Sequence, residues 1–196
     1  MRLNNATRLF EQMKAGRVYR REELAMFSTA VDRDLKRLVE DGRVEKVGPG
    51  LYHNPVVSRF GPLPPKQVEV VRAFLKTDDF LLTSLNYFNG LGVGLTQLSN
   101  EMLVYNRKRV GKFTFAGLVY NFQRPPNFPN WNETSEEYLF VDLLNNFDNL
   151  HEAPEQLEDA LKQKATTLKK KDLLRVASRY GKVRANKKLE ELLENG

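Results

Sequence analysis

Apolar and polar positions alternate with two different periods along this chain. Between residues 31 and 39 the apolar side chains are Val31, Leu35, Leu38 and Val39, at steps of four, three and one. That spacing lines one face of a helix. The opposite face carries Asp32, Arg33, Lys36, Arg37 and Glu40. Ser28 and Thr29 stand just before it as N-cap residues, and Thr29 with Asp32 three positions on makes an acidic variant of the capping box. Gly42 can take the left-handed conformation that ends a helix. Val44-Glu45-Lys46-Val47 then alternates as a strand does, Gly48-Pro49-Gly50 turns the chain, and Leu51-Tyr52 returns it. Upstream, Ala6, Leu9, Phe10 and Met13 predict a helix from Asn5 to Lys14 stopped by Gly16. Val18-Tyr19 reads as a brief extended piece. A short helix follows from Arg21 to Met26, with Leu24 and Phe27 pointing inward.

Three helices and a hairpin within about 50 residues make a winged helix-turn-helix, with the 31–40 segment as reader and the hairpin as wing. A unit of that size is only marginally stable alone. Residues 54–65 hold four prolines and a glycine and cannot stay helical. The domain boundary is therefore expected there, giving residues 1–56 as one domain and 66–196 as the other.

In the second half, Lys66 to Lys76 is predicted helical, with Val68, Val71, Phe74 and Leu75 on its inner side. Phe80–Thr83 reads as a buried strand, and Ser84 as the cap of a short helix through Tyr87 and Phe88. Gly90, Gly92 and Gly94 loosen the chain. Met102–Asn106, Lys112–Phe115 and Leu118–Gln123 read as antiparallel strands, with turns at 106–109 and at Ala116-Gly117. From Ser135 the pattern is helical. Tyr138, Leu139, Val141, Asp142, Leu143 and Leu144 mark a mostly buried helix ending near Leu150. Pro154 opens the next helix. Lys169–Tyr180 is another, with Leu173, Leu174, Val176 and Ala177 inside and Gly181 as its stop; Asn186–Glu194 is the last. The expected class is α+β: an N-terminal winged helix-turn-helix, then an α+β domain with a small antiparallel sheet and C-terminal helices.

Composition narrows the partners. With 41% hydrophobic residues the chain can build a core. No run of about 18 apolar residues suggests a membrane span, and the first residues lack the apolar stretch of a secretory leader, so a cytoplasmic protein is expected. Cysteine is absent, and His53 and His151 are far apart, so no metal or other cofactor is expected. The net charge of +6 is uneven. Residues 1–60 hold 12 Lys/Arg against 8 Asp/Glu, residues 61–130 hold 8 against 4, and residues 131–196 hold 11 against 13. A basic front two-thirds suits a phosphate backbone, although ordinary solubility charge explains the same excess.

The candidate chemistry follows from these placements. Arg33 and Arg37 project the same way, and arginine matches guanine through two parallel hydrogen bonds. Lys36 suits phosphate. Ser28 and Thr29 can donate to phosphate at the helix start. Asp32 can accept from a cytosine amine or cap the helix. Arg20, Arg21 and Lys46 flank the motif as backbone contacts, and Tyr52 reads as core. The bland alternative throughout is a solvated helix face. A second basic contact is offered by Arg107, Lys108, Arg109 and Lys112, whose alternative is a soluble sheet edge. Lys169-Lys170-Lys171 with Arg175, Arg179, Lys182 and Arg184 makes a third basic stripe, or a solvated helix face. Asp32-x-Asp34 is not a metal pair, because positions two apart on a helix point different ways. Gly90-x-Gly92-x-Gly94 lacks the spacing of a phosphate loop. Asn132-Glu133-Thr134 matches a glycosylation pattern by chance. No nucleophile–base pair or carboxylate cluster is visible, so an enzyme is not expected.

Phe27-Ser28-Thr29-Ala30-Val31-Asp32-Arg33-Asp34-Leu35 and Pro49-Gly50-Leu51-Tyr52-His53-Asn54-Pro55 resemble the AbiEi-type antitoxins of abortive-infection toxin–antitoxin systems. So do Leu81-Leu82-Thr83-Ser84, Leu91-Gly92-Val93-Gly94-Leu95-Thr96, Val104-Tyr105-Asn106 and Val141-Asp142-Leu143-Leu144-Asn145. The resemblance implies an N-terminal winged domain that represses its own operon. It also implies a C-terminal domain that counters a nucleotidyltransferase-type toxin, functionally or by direct binding. Double-stranded operator DNA, as an inverted repeat bound by a dimer or by two cooperating monomers, is the expected first partner. The rival reading is an antitoxin that acts mainly by binding its toxin, with the winged domain as an interaction module.

Overall fold

The computed structural model describes residues 5–130, 134–151 and 155–194. It is a mixed α/β chain with small antiparallel sheets and C-terminal helices. By contacts it divides into two compact units, residues 1–78 with 113–119 and residues 79–112 with 120–196. The proline-rich stretch 54–65 lies inside the first unit, and so does the helix after it.

In the first unit, helix α1 spans Asn5–Glu11, strand β1 Val18–Arg20, helix α2 Arg21–Leu24 and helix α3 Val31–Glu40. Strands β2 (Glu45–Gly48) and β3 (Leu51–His53) form the hairpin around Gly50, whose φ of 67° only glycine adopts freely. The sheet order is β1-β3-β2, antiparallel throughout, with a register shift between Lys46 and Gly48. Leu9, Leu24, Leu35 and Leu38 are fully buried and pack with Ala6, Met13, Tyr19, Val31 and Val44. Tyr52 packs against this cluster, as expected of a core residue.

The rest of this unit departs from expectation in places. Helix α1 stops at Glu11 rather than Lys14, and the chain turns through Gly16. Phe27 was expected inside, but it is 49% exposed and Met26 is 77% exposed, because α2 ends at Leu24. A small hairpin follows, β4 (Val57–Ser58) with β5 (Gly61–Pro62). Helix α4, Gln67–Leu75, packs on β1 and β3. It buries Val71 and Leu75 as expected, together with Val70 and Ala73, and leaves Val68 exposed, a correction to the expected inner face at that position.

In the second unit, strand β6 is Phe80–Thr83, and a 3₁₀ helix Leu85–Leu91 is capped by Ser84, whose Oγ accepts from Asn86 N. Strands β7 (Glu101–Asn106), β8 (Gly111–Phe115) and β9 (Leu118–Gln123) complete the order β6-β7-β9-β8, with residues 113–119 of β8, the turn and β9 grouped with the first unit. Ala116 and Gly117 turn β8 into β9 with φ of 48° and 79°. Ser135 caps helix α5, Glu136–Asn145, by accepting from Tyr138 N. That helix ends at Asn145 instead of Leu150, and a 3₁₀ turn takes residues 147–149. Helices α6 (Leu157–Thr167), α7 (Lys170–Tyr180) and α8 (Val183–Glu194) follow. Leu173 and Ala177 are buried but Leu174 is 45% exposed, a correction to the expected inner face of α7. Phe88, Phe140, Leu143 and Leu161 are fully buried in one cluster with the sheet residues Leu81, Leu103 and Tyr105. Pro154 and the Asn132-Glu133 part of the glycosylation pattern lie outside the described residues.

Candidate nucleic-acid interface

Helix α3 is fixed from below by Leu35 and Leu38 and at its start by a polar lock. Ser28 Oγ accepts from Ala30 N at 3.1 Å and donates to Asp34 Oδ2 at 2.6 Å. Asp34 is only 3% exposed. The N-cap position is Ala30, with no side-chain cap, so the expected Thr29–Asp32 capping box is not formed. The reason is that Ser28 and the buried Asp34 already set the entry of the chain, and Asp32 is engaged elsewhere. Asp34 was foreseeable: it shares the inner stripe with Val31, Leu35 and Leu38.

Asp32 pairs with Arg21 across the α2–α3 turn. Arg21 Nε donates to Asp32 Oδ1 at 2.7 Å, and a second guanidinium nitrogen donates to Oδ2. The fork geometry makes this the best-formed ion pair of the region. The Arg21 guanidinium holds the Asp32 carboxyl below its ordinary range, mainly through that hydrogen bond. Arg20 is also engaged. Its Nη1 donates to Ala73 O at 3.3 Å and Phe74 O at 2.9 Å, the last carbonyls of α4, and its Nε lies 2.6 Å from Glu22. Arg20, Arg21, Ser28 and Asp32 therefore each have polar atoms engaged within the fold.

The remaining residues of α3 are different. Arg33, Lys36 and Arg37 have side chains 75%, 78% and 61% exposed. Their nearest carboxylates, Asp34, Glu40 and Asp41, sit at 3.8, 3.8 and 4.0 Å, too far for hydrogen bonds. Thr29 and Lys46 are exposed as well. One exposed face of a rigid helix thus presents three cations held only by loose, solvent-screened attraction.

The β2–β3 hairpin is buttressed on one side. Ala116 N donates to Val47 O at 2.8 Å, and a methyl group at Gly48 would lie 2.5 Å from Phe115 Cδ1. Phe74, Phe113 and Phe115 make a ring cluster with centroids 4.8 Å apart around Phe74. Lys46, which points away from the core, is left exposed.

In the second unit the basic residues are mostly paired. Arg107 sits 3.3 Å from Asp79 and over the Phe128 ring, and Lys112 donates to Glu101 at 2.6 Å. Lys108 and Arg109 donate their backbone N–H groups to Asn106 Oδ1, which shapes the exposed turn. In the C-terminal stripe Arg175 pairs with Asp172, Arg184 with Asp148, and Lys182 with the carbonyl of Asn145. No cluster of three or more metal-ligating side chains occurs among the described residues, and no helix among them is long and apolar enough to cross a membrane.

Comparison with known proteins assigns no family: neither a family model nor a curated protein matches the chain.

Proposed function

We propose that this chain is a winged helix-turn-helix repressor that reads operator DNA with α3 and carries β2–β3 as its wing. In the same reading it autoregulates its operon and counteracts a nucleotidyltransferase-type toxin. The observation that carries the DNA reading is the Arg33, Lys36 and Arg37 face. It is exposed, unclaimed by short hydrogen bonds, and built on a helix whose other side is locked by Leu35, Leu38 and Asp34. Such a face costs little to desolvate from its own protein and offers arginines to the major groove. The test is a gel shift on the DNA upstream of the chain's own gene. Retardation that the double variant Arg33→Ala/Arg37→Ala abolishes supports the reading, and no retardation at low salt removes it.

The toxin-countering role rests on the resemblance of the second half to AbiEi-type antitoxins. Growth rescue on co-expression with a nucleotidyltransferase-type toxin tests it. A second reading, direct binding to the toxin, is favoured by the apolar β4–β5 hairpin, where Val57 and Phe60 are 77% and 84% exposed. Co-elution of the two proteins in size exclusion supports that reading, and rescue without co-elution opposes it.

A further inference from the structure

The eight residues from Leu24 to Val31 carry no charge, although charged residues stand on both sides of them, Arg20 to Glu23 and Asp32 to Asp34. Leu24 and Val31 are buried and hold the two ends of this stretch in the core. Between them Ala25, Met26, Phe27 and Thr29 are exposed. Met26 and Phe27 are the large apolar ones, adjacent in the chain and left facing water. The backbone that presents them is fixed. Phe27 N donates to Leu24 O at 3.0 Å, Ala30 N donates to Ser28 Oγ at 3.1 Å, and the Arg21–Asp32 fork ties α2 to α3 across the turn. Apolar surface held in water costs free energy, which an apolar group on a partner would recover.

The position of the turn says which partner. Ser28 Oγ donates to Asp34 Oδ2 at 2.6 Å, and Arg33 Nε lies 3.8 Å from Asp34 Oδ1. The turn and the Arg33 guanidinium therefore flank one carboxylate. Phe27 adjoins Ser28 in the chain, so an apolar corner and an exposed cation stand together at the start of α3. Asp32, the exposed carboxylate nearest in the chain, is taken up by Arg21. With α3 in a major groove, this corner meets base edges. Those edges carry hydrogen-bonding groups and one apolar group, the 5-methyl of thymine. We propose that Met26 and Phe27 read the 5-methyl group of an operator thymine, next to a guanine that Arg33 contacts. The inference rests on the reading of α3 as the groove-binding helix. It adds a second kind of contact to that face, apolar and independent of salt.

The full chain is assayed by gel shift on the DNA upstream of its own gene, made once with thymine and once with uracil, which lacks only the methyl group. Burial of one methyl group is worth about fourfold in affinity, so the wild type should bind the uracil duplex about fourfold less tightly for each thymine read. Met26→Ser/Phe27→Ser should bind the two duplexes alike, about as the wild type binds the uracil one. Its salt slope should match that of the wild type, because this contact releases no ion. Phe27→Leu, which stays apolar, should keep most of the preference. Replacing thymines one at a time should place the effect beside a guanine. Equal affinity of the wild type for the two duplexes would overturn the inference and leave α3 as the reader. So would a thymine preference that survives intact in the double serine variant, which would assign the exposed pair to a protein contact instead. No retardation of either duplex removes the groove reading and this inference together.

Discussion

Arg33 and Arg37 carry charge at the ends of side chains that the fold does not grip. Each has a carboxylate neighbour only at 3.8–4.0 Å, so a single substitution to alanine should cost little stability. On the correct operator the same change should cost about 1–3 kcal/mol of binding through a lost bidentate base contact. Thermal melts beside quantitative gel shifts distinguish the two effects. Arg20 shows the opposite placement. Its guanidinium meets carbonyls of Ala73 and Phe74, more than 50 positions away. Nothing local in the sequence separates Arg20 from Arg33, because the acceptors that claim it belong to a distant helix end. Asp142 is a third kind of residue. Burial raises its carboxyl to about 7 against the opposing pull of the Tyr105 hydrogen bond and Lys182. An unfolded carboxyl titrates near 4, roughly. The folded state thus binds the proton more tightly, and the stability this gives is full below about pH 4 and lost as pH rises through 7. Urea unfolding should show the wild type losing about 2–3 kcal/mol between about pH 5 and 8 from this group. Asp142→Asn, which cannot titrate, should flatten that part of the profile. Parallel profiles for the two proteins would remove Asp142 as the cause.

At the scale of elements, the β2–β3 hairpin depends on what lies against it. Gly48 faces Phe115, and Phe115 is held by Phe74, so neither ring edge can retreat easily. Gly48→Ala should therefore destabilise the chain by about 1–3 kcal/mol through overpacking, read from the shift in its denaturation midpoint. Gly50→Ala should also destabilise it, but through its φ of 67° rather than through a clash. The sequence made the spans of β6 and β9 legible to the residue, since Phe80–Thr83 and Leu118–Gln123 are short apolar or alternating runs bounded by turn residues. It made α3 legible because its stripe is strictly periodic. It did not reveal the α4 face, where Val68, Val70 and Val71 are chemically alike and only the packing partner decides which turns inward. Nor did it reveal that residues 113–119 group with the first unit, since a hairpin tip carries no address for its contacts. The buried network that joins Asn146 to Tyr105 and Asp142 was equally hidden. Asp142 was visible as a polar position in an apolar helix, but the partner that completes it, Tyr105, lies 37 residues earlier.

For the molecule as a whole, charge is the property that joins composition to the proposed DNA contact. The first 130 residues carry +8 and the last 66 carry −2, and among the basic side chains of the first part some are held in internal pairs, such as Arg21–Asp32 and Arg72 with Glu69 and Asp78. What is left for phosphate is the set of loosely held cations, Lys36 and Lys46 among them, so binding should be electrostatic but of limited reach. If about six phosphates are neutralised, the observed association constant should fall with salt at a log–log slope of about −5. Lys46→Ala should make that slope shallower by about 1 and weaken specific and unrelated duplexes alike, as loss of a backbone contact does. Arg37→Ala should instead weaken the operator more than an unrelated duplex, because a base contact carries sequence and a phosphate contact does not. Affinities measured on both duplexes across a salt series separate these outcomes. Equal losses on the two duplexes for Arg37→Ala, or a slope near zero for the wild type, would mean that α3 is not reading a groove.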